Sequence, residues 1–550
     1  MTKPVAIPEP RQPVLARPSD SFARLTPLGW TGGLVFIVAL LAASFILAGY
    51  FVVYWRTADM DFMVVYSALL LNDGQPAFFP HPAYFTVLGV KLWFQVLHHL
   101  NLLDTSSLSR MPPATDRLAF DAAMTSVIRA ARVVAWMTAT SFVVVFAGLA
   151  RCLVRDWRVA TLATFAFAFS GGVEFHTRVL RSEMIAGCLI IFALMILIAV
   201  SRRPTIWRPL AIGAAAMLCV LGLENKIHAI LLIAALPLLI LPFGGPASAS
   251  NEFWSNSARA WLAALTMALV AGLLLRAALP LIALGLDPTT AMPSLHPLLS
   301  GKFGVYQLGL LAWIGAGMLT FAMVRRVCLA ETFAAIFAVI AGASLGLLAL
   351  FIEYNPSNVV VVLNPIEEMM TFADQSAASA IDSGNPLAAI GLFLSGVASV
   401  LQRYTFVLFT SPRPTVFLTW LIVPGIVYAW RRGERQTATQ SALLMLCAIA
   451  IDSLGIRRGL KVEYFIFTDP LIIIAGMVLL DQMNDLRFHK LAYPIGAALV
   501  ALHIGVSQAE PIKMVTARRG PERICEWSQY YLPLLPMPWC ELPARRPSPS

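Results

Sequence analysis

The chain has 550 residues, of which 58% are hydrophobic and only 13% are charged, whereas water-soluble domains carry roughly 25% charged residues. Its net charge of +10 does not indicate nucleic-acid binding, because the basic residues are scattered over short loops and form no stripe with aromatic residues. The excess fits loop charge bias and contact with anionic membrane lipids. The composition therefore predicts an all-α polytopic membrane protein without a nucleic-acid partner.

Apolar runs of about 20 residues recur along the chain, and each is a candidate transmembrane helix. Residues 1–28 are proline-rich and polar, which is typical of a disordered tail. The runs predict about thirteen spans, which are 29–55, 130–151, 157–174, 184–201, 208–223, 227–243, 259–284, 304–324, 332–352, 415–431, 437–454, 465–483 and 491–507.

Arginines cluster at alternate helix ends, and the positive-inside rule then places the N-terminus in the cytoplasm. We expect one transmembrane domain over 29–510. Its first large outer loop is 56–128 and a second is 353–414, and both are expected to carry short amphipathic helices. Residues 511–550 are expected to form an outer tail.

An acid pair, Asp59 and Asp61, follows the first span. In an extended chain both carboxylates would lie on one face. There they could hold a divalent cation such as Mg²⁺ or Mn²⁺, or act as a base and its orienting partner. The simpler alternative is a solvated helix end.

A histidine between two prolines, His81, lies further along the same loop. The prolines exclude a helix there and hold the chain in a fixed turn. A histidine held in this way could contact a phosphate or an acceptor. The alternative is that the segment only forms the turn before the next helix. An amphipathic helix is predicted over 83–100, lying on the membrane surface.

Charged residues also lie in two of the outer connections between apolar runs. Arg178, Arg181 and Glu183 lie in "FHTRVLRSEM", and arginine binds phosphate with two parallel hydrogen bonds. Lys226 and His228 lie in "GLENKIHAIL", where ionisable groups at membrane depth usually face a cavity. The alternative for the arginines is a cluster that snorkels to the interface.

A third outer connection, "GIRRGLKVEYFIFTDP", carries Arg457, Arg458 and Tyr464. These cations could complete an anion site, and the alternative is an interfacial belt. Acids and cations on one membrane face predict a phosphate-bearing lipid substrate. The sequence contains neither a P-loop nor a dinucleotide fingerprint, so a pre-activated lipid phosphate is the expected source of energy.

Two cysteines, Cys525 and Cys540, lie in the outer tail. An oxidising compartment would permit a disulfide between them. The alternative is a pair of free thiols.

The order of these motifs resembles that of the GT-C membrane glycosyltransferases, in the branch with the protein O-mannosyltransferases and the lipid A aminoarabinose transferase. Two positions depart from the pattern, because His81 stands where many relatives have lysine and Glu463 where arginine or histidine is usual. The matching segments are 59–62, 72–76, 81–85, 178–183, 223–237 and 463–470.

The resemblance implies a GT-C fold and the transfer of a hexosyl or pentosyl group from a polyprenyl-phosphate donor to a hydroxyl of a lipid, glycan or protein. It implies a periplasmic site in a bacterial inner membrane. The implied roles are catalysis by Asp59 with Asp61; donor phosphate binding by Arg178, Arg181, Lys226, Arg457 and Arg458; and substrate binding by His81, Tyr84, Glu183, His228 and Tyr464. Two alternatives stay open, an O-antigen-type polymerase or ligase and a lipid-linked glycan transporter or flippase.

Overall fold

The computed structural model describes residues 28–57, 60–76, 83–202, 205–243, 251–255, 257–289, 295–298, 301–371, 386–405, 413–455, 461–482, 489–516 and 520–540. Within these ranges the regular structure is helical and no strand occurs. The α-helices are α1 Leu28–Phe45, α2 Met60–Asn72, α3 Tyr84–His99, α4 Arg117–Leu153, α5 Trp157–Ala168, α6 Gly171–His176, α7 Glu183–Ser201, α8 Arg208–Leu223, α9 Ala229–Ile240, α10 Glu252–Ser255, α11 Ser257–Leu286, α12 Gly301–Val324, α13 Leu329–Leu348, α14 Pro356–Leu363, α15 Pro386–Thr405, α16 Val416–Arg431, α17 Arg435–Gly455, α18 Asp469–Gln482, α19 His489–Ser507, α20 Ala509–Thr516 and α21 Cys525–Tyr531.

Eight helices in the described ranges are long and apolar enough to cross a membrane. They contain α1, α4, α7, α11, α12, α13, α17 and α19, and each coincides with a predicted span. The other five predicted spans coincide with α5, α8, α9, α16 and α18, which have only 12 to 16 residues. The chain is thus a multi-pass helical membrane protein, but thirteen crossings are not confirmed.

The segment predicted as the first outer loop is largely helical. It contains α2, α3 and the beginning of α4, and α3 lies where the amphipathic helix was predicted. Helix α4 has 37 residues, a length of about 55 Å at 1.5 Å per residue. Since the hydrocarbon core is about 30 Å thick, α4 extends well beyond it. The loop predicted over 353–414 likewise contains α14 and α15. The predicted domain boundaries stay predictions.

The C-terminal segment 520–540 packs against the region where the chain leaves α1. Leu532 and Leu535 are buried in one hydrophobic cluster with Tyr54 and Phe62. The amide of Leu534 donates a hydrogen bond to the hydroxyl of Tyr66, at 3.3 Å. A disulfide joins Cys525 to Cys540. The tail and the first turns of α2 therefore lie on the same side of the protein.

Helices α8 and α13 approach each other at glycines. A Cβ on Gly213 would lie 2.8 Å from the carbonyl oxygen of Ala338, and one on Gly346 would lie 2.8 Å from Cβ of Val220. A Cβ on Gly342 would overlap the carbonyl oxygen of Gly213. Small residues spaced four apart are a usual way for membrane helices to pack backbone to backbone.

Gly342→Ala should therefore destabilise the protein by about 2 kcal/mol, since overpacking forces two backbones apart. The thermal midpoint in detergent measures this. Gly272→Ala on α11 is the matched control, because a Cβ there meets nothing within 4 Å and alanine is the better helix former. Equal midpoints for the two variants would contradict the close packing of α8 on α13.

Candidate functional site

Three chain segments that the sequence placed on one membrane face meet in the structure. They are the connection between α6 and α7, the connection between α8 and α9, and the 3₁₀ segment Val462–Phe467 before α18. The close approach depends on Gly172 of α6, where a Cβ would lie 2.5 Å from the backbone nitrogen of Ile466. Charged side chains from all three segments are therefore held together although they are far apart in sequence.

Glu183 lies at the centre of this meeting point and is fully buried. Its Oε2 is 3.2 Å from Nε of Arg181, and its Oε1 is 3.0 Å from Nζ of Lys226. Nε2 of His176 is 4.0 Å from Oε2 of Glu183, and Oε1 of Glu463 is 3.7 Å from Nη2 of Arg181. We call these five residues the ionic cluster.

The ionic cluster is almost closed to solvent. The side chains of Arg181 and Lys226 are 7% and 5% exposed, and a buried charge is tolerated only with a partner. Glu183 supplies that partner to both cations. It engages one of the three donors of Lys226, and an ammonium group can bind further acceptors. The arrangement fixes two cations side by side, which suits an anion such as a phosphate.

Two further side chains border the ionic cluster. The rings of His228 and Tyr464 stack with centroids 4.8 Å apart, so the second and third segments are joined directly. Burial raises the pKa of the neighbouring Glu224 to about 9, so its carboxyl is uncharged at neutral pH. Asn225 Oδ1 accepts hydrogen bonds from the amide and hydroxyl of Thr86, both at 3.2 Å, and so ties α3 to the same place.

An apolar cavity of about 430 Å³ runs beside α8. Its lining includes Pro209 and Leu223 of α8 and Ile230 of α9, and Leu223 and Ile230 flank the segment that carries Lys226. From Pro209 to Leu223 the helix rises about 21 Å. The volume lies in the range of ligand pockets, and the long apolar shape suits a hydrocarbon chain.

Asp61 lies in the first turn of α2, so the prediction of an extended acid pair is wrong for this residue. It is buried, its Oδ1 accepts the amide of Leu180 at 2.5 Å, and its Oδ2 is 3.5 Å from Nε of Arg132. Arg132 also donates to the carbonyl oxygens of Gly49 and Val52. Asp61 therefore anchors the connection before α7 to α2 and α4. Sequence reasoning missed Arg132, although an arginine within an apolar span is a signal by itself.

The predicted divalent cation does not fit Asp61. One carboxylate oxygen faces an N–H and the other faces a guanidinium, so both are directed at positive partners instead of an open coordination position. In the described ranges no group of three or more histidines, cysteines, aspartates or glutamates is placed to hold a metal.

The structure does not bring two other predicted residues into the ionic cluster. Arg178 is buried and pairs with Glu174 and the hydroxyl of Ser44. The spacing of four residues between Glu174 and Arg178 is a signal that could have indicated this pair. The hydroxyl of Tyr84 donates to the carbonyl oxygen of Leu350 at 2.9 Å and accepts the amide of Glu353 at 2.7 Å. Tyr84 thus joins α3 to the end of α13, and both predicted roles stay predictions.

Four predicted site residues lie outside the described residues. They are Asp59, His81, Arg457 and Arg458. Each flanks a described element, since α2 begins at Met60 and the third segment begins at Val462. Their predicted roles remain predictions.

The fold and the site together define a multi-pass helical membrane protein with a buried ionic cluster beside a long apolar cavity. No known protein family and no curated protein matches the sequence.

Among solved structures, the chain is similar to the archaeal oligosaccharyltransferase AglB from Archaeoglobus fulgidus in complex with an inhibitory peptide and a dolichol-phosphate. The TM-score is 0.47 with 13% identity, over 92% of this chain and 60% of that one. It is also similar to an Archaeoglobus fulgidus oligosaccharyltransferase complex with Zn and sulfate. That TM-score is 0.40 with 12% identity, over 92% of this chain and 57% of that one. The chain thus spans about 60% of the length of these structures, and similarity at this level defines neither its family nor its activity.

Proposed function

We propose that the chain is a GT-C-type membrane glycosyltransferase that moves a sugar from a polyprenyl-phosphate donor to a hydroxyl acceptor. The observation that carries this proposal is the position of Arg181 and Lys226. Both cations converge on Glu183. The connection that carries Lys226 lies between Leu223 and Ile230, which line an apolar cavity about 430 Å³ in volume. A lipid phosphate needs both features, since its head is an anion and its tail is a hydrocarbon chain.

The chemistry requires few groups. A hydroxyl oxygen of the acceptor attacks the anomeric carbon while the bond from that carbon to the phosphate oxygen breaks. The acceptor proton passes to a base, which the sequence assigns to Asp59. The bonding electrons leave with the phosphate, whose growing charge Arg181 and Lys226 stabilise. The leaving group is already a weak base, so it needs cations and no general acid.

The outer face of a bacterial inner membrane is the location that we propose for this reaction. The disulfide of the tail favours an oxidising compartment, and the tail packs in one hydrophobic cluster with Tyr54 and with Phe62 of α2. Through Asp61, α2 is bound to Leu180 beside the ionic cluster. The tail, α2 and the two cations Arg181 and Lys226 therefore lie on one face of the protein.

Lys226→Gln tests the phosphate contact. Loss of one charge-assisted hydrogen bond should weaken the binding of a polyprenyl phosphate without sugar by about 2 kcal/mol, or roughly 30-fold in Kd. Titration of the purified protein with that lipid in detergent micelles or nanodiscs measures it. Lys513→Gln is the control, because Lys513 is exposed and 3.7 Å from Glu510, and its Kd should match that of the unaltered protein. Equal Kd values for the two variants would remove Lys226 from the phosphate site.

A further inference from the structure

A second buried ionic group is centred on Arg413. Its guanidinium donates to Asp452 and, at 2.9 Å, to Oδ1 of Asp469. The hydroxyl of Tyr404 donates to Asp452 at 2.9 Å, and the hydroxyl of Thr415 donates to Asp469 at 2.8 Å. We call Asp452, Arg413 and Asp469 the triad. With Tyr404 it joins α15, α17 and α18 within the protein interior.

The same guanidinium holds the end of the third site segment. Nη2 of Arg413 donates to the hydroxyl of Thr468 at 2.7 Å. The guanidinium carbon lies 4.5 Å from the ring centroid of Phe465, within the range of a cation–π contact. Arg413 therefore contacts the segment at two points within four residues.

The backbone of this segment also lies directly on two glycines. A Cβ on Gly172 would be 2.5 Å from the backbone nitrogen of Ile466. A Cβ on Gly187 would be 3.2 Å from the carbonyl oxygen of Ile466. The segment is thus held by α6 and α7 as well as by Arg413.

The beginning of the segment reaches the ionic cluster. Glu463 is 3.7 Å from Arg181, and Tyr464 stacks on His228. We propose that Arg413 is a positioning residue, in which the triad fixes residues 462–468 so that Glu463 keeps the guanidinium of Arg181 directed at the donor phosphate. This inference rests on the proposed function.

The choice of an arginine at this position needs a reason, because a buried ion triad is seldom more stabilising than well-packed apolar residues. The guanidinium has five donors in a rigid plane. It reaches Asp452, Thr468 and Asp469 at once. A single flexible ammonium group cannot hold all of these partners in one geometry. Fixing the segment, and not stability alone, accounts for the residue.

A double-mutant cycle between Arg413 and Glu463 tests the inference. The measured quantity is the Kd of the purified full chain for a polyprenyl phosphate without sugar. Arg413→Lys should raise the Kd about tenfold relative to the unaltered chain. When Glu463→Gln is already present, adding Arg413→Lys should raise the Kd less than about twofold relative to Glu463→Gln alone. A structural defect that acts elsewhere would weaken binding by the same factor in both backgrounds, and that result would overturn the proposal.

Gly172→Ala displaces the same segment without changing a charge, so it covers the case in which Arg413→Lys does not fold. It should raise the Kd by a similar factor, about tenfold. Added to the Glu463→Gln variant, it should leave the Kd of that variant unchanged. Gly148→Ala is the matched control, since a Cβ there meets nothing within 4 Å. A Kd of Gly172→Ala equal to that of the control would overturn the proposal.

A second readout separates this inference from the proposed function. If the unaltered chain binds no polyprenyl phosphate, the proposed function fails. The labelling rate of a thiol at Tyr464→Cys, followed by mass spectrometry, then tests the positioning by itself. Arg413→Lys should raise that rate about fivefold by loosening the segment, and an unchanged rate would overturn the role of Arg413.

Discussion

Replacing Glu183 with glutamine should lower the free energy of unfolding by about 3 to 5 kcal/mol, because two buried cations lose their shared counter-charge. Glutamine has nearly the same shape, so the change removes charge and little volume. Arg181 and Lys226, both nearly buried, then keep only weaker contacts. The loss appears as a lower thermal midpoint in detergent, together with lost binding of polyprenyl phosphate.

Two comparisons make the Glu183 result specific. Glu510→Gln is the control, because Glu510 forms a partly exposed pair with Lys513 at 3.7 Å, and such pairs contribute about 1 kcal/mol or less. The double variant Glu183→Gln with Lys226→Met should lose less free energy of unfolding than the two single variants lose together, since both changes break the same ion pair. A midpoint for Glu183→Gln equal to that of Glu510→Gln would contradict a buried, ionised cluster.

The two acids of the first outer region should respond differently to the same substitution. In the unaltered chain the buried guanidinium of Arg132 lies 3.5 Å from the Asp61 carboxylate. Asp61→Asn removes this counter-charge and should lower the free energy of unfolding by about 3 kcal/mol or more. Asp59→Asn removes the proposed base. It should lower kcat about 10²- to 10⁴-fold and leave the thermal midpoint unchanged.

Thermal midpoints and kcat measured on both variants separate anchoring from catalysis. Asn keeps an oxygen that can accept the Leu180 amide, so the expected loss at Asp61 comes from charge. If Asp61→Asn were as stable as the unaltered chain, the ion pair with Arg132 would not be an anchor. Asp61 would then return to the catalytic role that the sequence suggested.

The helices were largely predictable from sequence because apolar runs are a local signal. Helices α7, α12 and α17 lie within a few residues of predicted spans. The helical content of the outer loops was harder to predict. Helix α2 begins at Met60, within the acid pair for which the sequence predicts extended chain, because the N-terminal turn of a helix is an equally good place for a carboxylate.

The ionic cluster was partly predictable for a similar reason. Arg181, Glu183 and Lys226 stand out as charges at the ends of apolar runs, and the structure brings them together. The triad was not predictable, because Arg413 and Asp452 are 39 residues apart and their pairing is set by how three helices pack. Local sequence offers no signal for such a pair.

The central claim is that this chain transfers a sugar from a polyprenyl phosphate, and one assay tests it most directly. Purified protein is mixed with polyprenyl-phosphate sugars and with lipid, glycan and peptide hydroxyl acceptors, beside Asp59→Asn. The expected result is a glycosylated acceptor and free polyprenyl phosphate, with the rate reduced about 10²- to 10⁴-fold by Asp59→Asn. Transfer that survives Asp59→Asn would remove the base assignment. Absence of transfer with every donor, together with movement of the labelled lipid across vesicles, would contradict the claim and indicate a transporter.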